Sequence, residues 1–391
     1  MVLHDLPPGP GPFPRTVVTV GNFDGVHLGH RAILARVCQR ARELECQPVA
    51  VTFEPHPVKV LKPECKLDLL TTLDQKVELL REAGLAGVVV LPFTREFAAI
   101  RARDFVRDYF LERLRAREVV VGHDYSFGRN REGNIELLRE MGRALGFTVQ
   151  VVWAVEVEGA VVSSSLIRAM LRLGKVREAG KLLGRPYGVS GKVVAGKGRG
   201  AKLLGVPTAN LASENGLLPA TGIYAVWVAR DGRLLPGVAN IGTCPTFDNQ
   251  EVTLEVHLLN FTGNLYDERL EVKFVDRLRE ERSIPPILYG FPTTAGSSLP
   301  TAAKHLSATA ARPPESPPLS ARYECSDSIP SPGGKRTAAG ISKPAPGAWD
   351  PRLQEKPDLP TPRRNNRAGG SPPRCFVHDP ADIPPRHKKR G

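Results

Sequence analysis

The chain predicts an α/β protein: a doubly wound parallel-sheet domain, then a small antiparallel β unit, then a tail without a core. Three observations carry this. Short apolar runs at 16–20, 48–53, 87–91, 118–122 and 148–153 alternate with amphipathic helical stretches, the pattern of a parallel sheet flanked by helices. After Pro186 helical periodicity largely disappears, and strand-length runs at 187–194, 222–229, 237–241, 252–259 and 270–274 are separated by glycine turns, as in a small barrel or sandwich. From residue 283 on, 21 of the chain's 36 prolines are scattered among Ser, Gly and Arg with no regular apolar spacing, so no burial offsets the entropy of ordering. The expected division is an extension over 1–15, a first domain over 16–185, a second over 186–282 and a disordered tail over 283–391.

Within the first domain the run at 16–20 leads straight into Gly-Asn-Phe-Asp-Gly-Val-His-Leu-Gly-His at 21–30. Gly21 and Gly25 allow close approach of the backbone to a ligand, and Leu28, Ala32, Ile33, Ala35 and Val37 begin a helical apolar stripe at the same place. His27 and His30, three residues apart, share one side of the first helical turn. Imidazolium or backbone N–H groups there can stabilise charge on a transferring phosphoryl group, which is the chemistry of a nucleotidyltransferase. A histidine at a helix start is also a common cap, so the strand before it and the helix after it supply much of the specificity. Further on, Thr71 and Thr72 precede a helix over 74–82 that Gly84 ends. Two more segments, 53–57 and 122–125, follow strands, and ligands of open α/β sheets bind outside the carboxyl ends of strands.

Charge and cysteine content narrow the class. The net charge of +13 is uneven: residues 283–391 hold 16 Lys and Arg against 8 Asp and Glu, leaving +5 for the rest. A few cations suffice for an anionic small molecule, and the basic tail, ending His387 to Arg390, has neither interleaved aromatics nor a recognisable RNA-binding motif, so nucleic acid is not the expected partner. The six cysteines form no CxxC pair and no zinc-spaced cluster with histidine, which reads as reduced thiols. The N-terminus lacks a basic segment followed by an apolar one, and no run approaches the roughly 18 apolar residues of a membrane span. A cytoplasmic protein is expected; the oligomeric state is not specified.

Several segments together resemble the bacterial bifunctional riboflavin kinase and FAD synthetase family from about residue 16 to 282. The first half of the likeness comprises 21–30, Thr-Phe-Glu-Pro-His-Pro at 52–57, Leu-Asp-Gln-Lys at 73–76, Gly-His-Asp-Tyr-Ser-Phe-Gly at 122–128 and Ser-Ser-Ser-Leu-Ile-Arg at 163–168. The second comprises 198–210, ending Pro-Thr-Ala-Asn, with Gly-Ile-Tyr-Ala at 222–225, Ile-Gly-Thr-Cys-Pro-Thr-Phe at 241–247 and Leu-Glu-Val-His at 254–257. The resemblance implies a nucleotidyltransferase domain followed by a β-barrel kinase, with ATP, riboflavin, FMN, FAD and Mg²⁺ as substrates, products and cofactor. It implies that Gly21, Asn22, Phe23, Gly25, His27 and His30 handle the ATP phosphates, and that Arg168 with Ser163 and Ser164 closes on the pyrophosphate from the other side. Ser163 to Ser165 also read as an ordinary helix cap, and both readings can hold because a capped helix start is an anion site.

Asp124 matches a flavin- or ribose-contacting position and equally reads as a turn residue. Phe53 and Phe127 either border a flavin ring or belong to the core. In the second half Gly196, Gly198 and Gly200 form a loop whose amides can face phosphates. Thr208 and Asn210 offer hard oxygen donors suited to Mg²⁺, and by the resemblance they hold the ATP-bound metal. Glu255, otherwise the solvent-facing member of an alternating strand, matches the general base toward the riboflavin 5′-hydroxyl. The likeness stops at Ser283, where an amphipathic helix is expected. Pro285 and Pro286 forbid it, which makes an impaired kinase step the expectation. A misframed coding segment and a natural basic extension fit the tail equally. Two other functions fit parts of the sequence: a different HxGH adenylyltransferase, and a non-catalytic RNA-associated protein with a basic tail.

Overall fold

The computed structural model describes residues 1–195, 208–245, 250–259 and 261–280. In chain order the first half contains β1 (Val2–His4), β2 (Thr16–Val20), α1 (Leu28–Glu43), β3 (Gln47–Glu54), α2 (Pro57–Leu61), α3 (Leu73–Glu82), β4 (Gly87–Pro92), α4 (Arg95–Ala98) and α5 (Ala102–Phe105). A π-helical segment over Val106–Arg113 continues α5, and β5 (Ala116–Gly122), α6 (Ile135–Leu145) and β6 (Thr148–Val152) complete the sheet. A small hairpin, β7 (Glu156–Val157) with β8 (Ala160–Val161), leads into α7 (Ser164–Arg172) and α8 (Val176–Leu183).

The six strands form one parallel sheet in the order β1-β4-β3-β2-β5-β6. Chain direction across the sheet reverses between β2 and β5, and that reversal opens the crevice where such sheets bind ligands. Every residue of β2 is buried, because helices cover both faces. Val18, Val20, Val49, Val51, Val119 and Val121 pack with Phe105, Phe110, Leu138 and Met141 on one face. Val17 and Val120 meet Val37 of α1 on the other, where Ala50, Val88 and Val90 meet Leu34 and Leu80. All five expected strands are present. The segment over 1–15 adds a sixth, β1, on the edge, and buries Leu6 and Phe13 in the same core. The expected helix over 74–82 begins at Leu73, with Thr72 and Gln75 exchanging side-chain and backbone bonds in a capping box.

The second half is a closed antiparallel barrel of β9 (Tyr187–Val194), β10 (Ala209–Ser213), β11 (Gly222–Arg230), β12 (Arg233–Pro245), β13 (Gln250–Leu258) and β14 (Arg269–Arg279), ordered β10-β13-β12-β11-β14-β9. Five of these strands were expected from the sequence; β10 was hidden in a segment read as a ligand loop. Closure decides the barrel over the sandwich, since a sixth strand pairing with both β9 and β13 leaves no edge. The core is filled by Tyr224, Val226, Leu254, Val256, Val272 and Phe274, and it is continuous with Ile167 and Leu171 of α7 and Val176, Ala179 and Leu183 of α8. The two helices that end the α/β half are thus packed on the barrel. The expected disordered tail over 283–391 lies outside the described residues.

Candidate active site

The carboxyl end of β2 runs into a tight turn in which Phe23, Gly25 and Val26 all have positive φ. At Gly25, with φ +81°, an added Cβ would sit 2.7 Å from Leu70 Cδ1, so the position needs glycine for its backbone and for its space. The turn delivers His27 to the N-cap of α1, where its Nδ1 accepts the backbone N–H of His30 at 3.3 Å. With Nδ1 accepting, the neutral ring carries its proton on Nε2 and keeps that donor for a ligand. The His27 and His30 rings stack with centroids 3.6 Å apart and planes 17° from parallel, and the buried Phe23 ring meets His30 edge-on at 5.3 Å. The side chain of Phe23 therefore packs against the His30 ring. His30 Nδ1 is buried with no hydrogen-bond partner among the described residues.

Electrostatics sharpen the picture and correct the expectation of imidazolium donors. Burial, then the positive charges of Arg185 and Arg168, hold His27 down to about 4. His30 lies well below its ordinary value through burial, His27, Arg185 and Lys76. His56, which caps α2 by accepting from Val58 N–H at 3.2 Å, is lowered to about 4 by burial, Lys76 and Arg168. Near pH 7 the three rings are neutral N–H donors in a cationic setting. The same positive field that discharges them attracts a polyanion.

Arg168 reaches this setting from α7. Its Nη2 pairs with Asp24 Oδ2 at 2.5 Å, with both side chains buried, and its Nε donates to the Asp68 carbonyl at 2.9 Å. Asp24 is the hub: it also accepts the backbone N–H groups of Leu70 at 2.9 Å and Thr71 at 3.2 Å. Ser164 Oγ donates to the Asp24 carbonyl at 2.9 Å, and Ser163 caps α7 by accepting from Leu166 N–H. A Cβ added to Gly29 would lie 3.2 Å from the His27 ring and 3.8 Å from the Val162 carbonyl, so the N-termini of α1 and α7 converge. Gly21 and the exposed Asn22 complete the turn; the Asn22 carbonyl accepts from Thr52 on β3.

The flavin candidates divide. Asp124 is exposed after β5 and near enough to His27 to act on its titration. Phe53, half-buried at the end of β3, groups with Phe93 and Phe97 at centroid distances of 5.5 and 5.7 Å. Phe127 matches the core alternative read from the sequence: it forms an antiparallel bridge to Gly133, stacks on Tyr125 and packs against Phe105. Sequence reasoning assigned no role to Lys76, His56, Asp24 or Arg185, although the quoted motifs contain three of them. Lys76 is buried, bonds to the Phe53 carbonyl at 3.3 Å and is held below its ordinary value by burial. Arg185 holds the Gly25 carbonyl at 2.7 Å and the Val26 carbonyl at 3.2 Å. No local pattern marks Arg185, since it stands 160 residues from its partner.

On the barrel, strand register brings the expected kinase residues together. Asn210 on β10 lies directly opposite Glu255 on β13, and Glu255 lies opposite Asn240 on β12. The neighbours of Glu255, Leu254 and Val256, fill the core, so alternation places Glu255 on the outer face. Burial raises the Glu255 carboxyl above its ordinary value, the direction that suits a proton acceptor near neutral pH. Thr208, half-buried, precedes β10 by one residue. Gly196, Gly198 and Gly200 lie outside the described residues.

Two family models match this chain, FAD synthetase over residues 12–166 and riboflavin kinase over 183–287. The bifunctional riboflavin kinase/FMN adenylyltransferase of Pseudomonas fluorescens is 41% identical over 273 residues, covering 68% of this chain and 85% of that protein. The chain belongs to this family. The enzyme of the same description from Escherichia coli K12 is 37% identical over 281 residues, with 72% and 89% covered. A crystal structure described as a macrolide-efflux protein from Streptococcus pneumoniae matches with a TM-score of 0.67 and 28% identity, covering 80% of this chain and 99% of that one. Family membership joins the two motif sets in one protein: the HxGH turn falls in the FAD synthetase match, and the Asn210–Glu255 pair falls in the riboflavin kinase match. Among the described residues no helix is long and apolar enough to cross a membrane.

Proposed function

We propose that the chain makes FAD from riboflavin in two ATP-dependent steps, phosphorylating riboflavin to FMN on the barrel and adenylylating FMN at the HxGH turn. The observation that carries the reading is the stacked His27–His30 pair at the start of α1, set among Lys76, Arg168 and Arg185 at the sheet's reversal point. In adenylylation an FMN phosphate oxygen attacks the ATP α-phosphorus and pyrophosphate leaves. Charge builds on oxygens, so the step needs donors held in place and no covalent nucleophile. His27 Nε2–H and the His30 ring supply donors, the N-termini of α1 and α7 supply backbone N–H groups, and Ser163 and Ser164 order the second of these. Arg168 takes part through Asp24 and the field it sets up. Asp124 and Phe53 border the acceptor.

On the barrel, Glu255 accepts the proton of the riboflavin 5′-hydroxyl as that oxygen attacks the γ-phosphorus of ATP, the bond from that phosphorus to the β,γ-bridging oxygen breaks and ADP leaves. The Thr208 hydroxyl and the Asn210 carboxamide oxygen are hard donors separated in sequence by Ala209 alone, and this chemistry fits a Mg²⁺ ion that would come with ATP. When bound there, Mg²⁺ neutralises phosphate charge. We place the enzyme in the cytoplasm, with no membrane or nucleic-acid partner. The test is incubation with riboflavin, ATP and Mg²⁺ followed by chromatography: FMN and then FAD are expected, and no FAD from supplied FMN would overturn the reading. Replacing FMN by phosphopantetheine separates this acceptor from those of other HxGH adenylyltransferases.

A further inference from the structure

The segment over 68–72 touches the adenylyltransferase site on one side and the barrel on the other. Toward the site, Leu70 and Thr71 N–H groups clamp Asp24, and the Asp68 carbonyl holds Arg168. Toward the barrel, Asn215, in the connection between β10 and β11 and only 8% exposed, donates from Nδ2 to the Leu70 carbonyl at 3.2 Å and to Gln75 Oε1 at 2.8 Å. Its Oδ1 accepts the Ser190 backbone N–H at 2.9 Å, and Gln75 Nε2 returns to Ser190 Oγ at 2.9 Å. Gln75 Oε1 also accepts the Thr72 N–H, so the same carboxamide closes the α3 capping box. The barrel backbone presses close as well: a Cβ on Gly216 would lie 3.0 Å from Leu69 N.

We infer that Asn215 of the kinase barrel is a positioning residue for FMN adenylylation. Its carboxamide holds the Leu70 peptide so that the adjoining N–H groups fix Asp24, which fixes Arg168 and, three residues before His27, the turn that leads to it. Adenylyl transfer depends on donors set to within a fraction of an ångström, so loosening this loop lowers turnover more than it weakens substrate binding. The inference rests on the adenylyltransferase reading of the HxGH turn. It adds that this site is incomplete without the second module.

Asn215→Asp tests it in the full-length chain. The carboxylate still accepts from Ser190 but cannot donate to the Leu70 carbonyl or Gln75. Two measurements are made: steady-state FAD formation from FMN and ATP, and amide hydrogen exchange of peptides spanning 66–72 and 222–230. The expected result is a roughly tenfold fall in kcat with KM values within about threefold, together with faster exchange over 66–72 and unchanged exchange over 222–230. Gly216→Ala, which displaces Leu69 while leaving the Asn215 bonds possible, should shift both measurements in the same direction and keeps the test open if the aspartate variant fails to fold. FAD formation within twofold of the parent, or a loss accompanied by equally faster exchange in β11, would overturn the proposal. If the parent chain makes no FAD, the functional reading has failed, and exchange over 66–72 still decides whether Asn215 holds the loop.

Discussion

At His30 the local chemistry is that of a neutral donor kept in a dry, positive pocket. Its Nδ1 is orphaned, its ring is wedged between His27 and Phe23, and burial keeps it unprotonated. A ring held so, in a positive field, is suited to a ligand that brings oxygen acceptors and negative charge. His30→Ala should lower FAD formation from FMN by about ten- to a thousandfold, the range for one transition-state donor, and leave riboflavin phosphorylation unchanged in parallel assays. His27 yields a stability prediction with a definite sign. Its folded value is about 4 against 6.5 ordinarily, so between these pH values the unfolded chain binds a proton that the folded chain excludes. Stability from the neutral ring is complete above pH 6.5 and is lost as pH falls toward 4, by on the order of 3 kcal/mol. His27→Asn keeps an N-cap but removes this titration, so its unfolding free energy should fall less steeply between pH 6.5 and 4.5 than the parent's, as measured by urea denaturation. His30 and His56, lowered in the same direction, leave a residual slope.

Among the elements, α1 is fixed at both ends by different physics. Its N-terminus is set by the glycine turn and the carbonyl contacts of Arg185, while near its C-terminus Arg40 grips Glu118 of β5 with bonds of 2.7 and 3.0 Å. Glu118 is fully buried and also accepts Thr148 Oγ1 of β6 at 2.7 Å, so one carboxylate ties the helix to two strands. Removing one partner of a buried pair leaves the other uncompensated. Glu118→Ala should destabilise the fold by about 3 to 5 kcal/mol, discounted toward the lower figure because Arg40 is partly exposed, and thermal unfolding measures it. The strands and α3 were legible because each carries its own signal: uninterrupted apolar runs for buried parallel strands, and Thr72 with Gln75 for the helix start. β1 escaped because three residues cannot show a period, and β10 because Ala209 to Ser213 alternate too weakly to outweigh a ligand-loop reading.

For the molecule as a whole, α7 and α8 couple the modules, since the helices that carry Ser163, Ser164 and Arg168 bury their apolar faces in the barrel core. The proposed kinase residues, by contrast, have their described members at or next to β10 and β13, with residues from 281 onward outside the described structure. The expectation that Ser-Ile-Pro-Pro at 283–286 stops a helix falls outside the described residues; taken from the sequence, it predicts that the barrel phosphorylates riboflavin more slowly than the α/β site adenylates FMN. Replacing 283–391 with an amphipathic helix of the family type should raise FMN formation at least severalfold and leave FAD formation from FMN unchanged; equal rates in the parent chain would contradict this.

What the amino-acid sequence determined alone were properties written in neighbouring residues: the alternation of strand and helix, the glycine turn that places His27 and His30 on one helical turn, and the two motif sets in order. Tertiary structure decided what depends on residues far apart in the chain. It paired Asp24 with Arg168 across 144 positions, brought Arg185 under Gly25, put Asn210 beside Glu255 and turned Phe127 into the core. It also decided the charge of the histidines, because burial and cations from distant segments, rather than any sequence neighbour, set the free energy of protonating a ring.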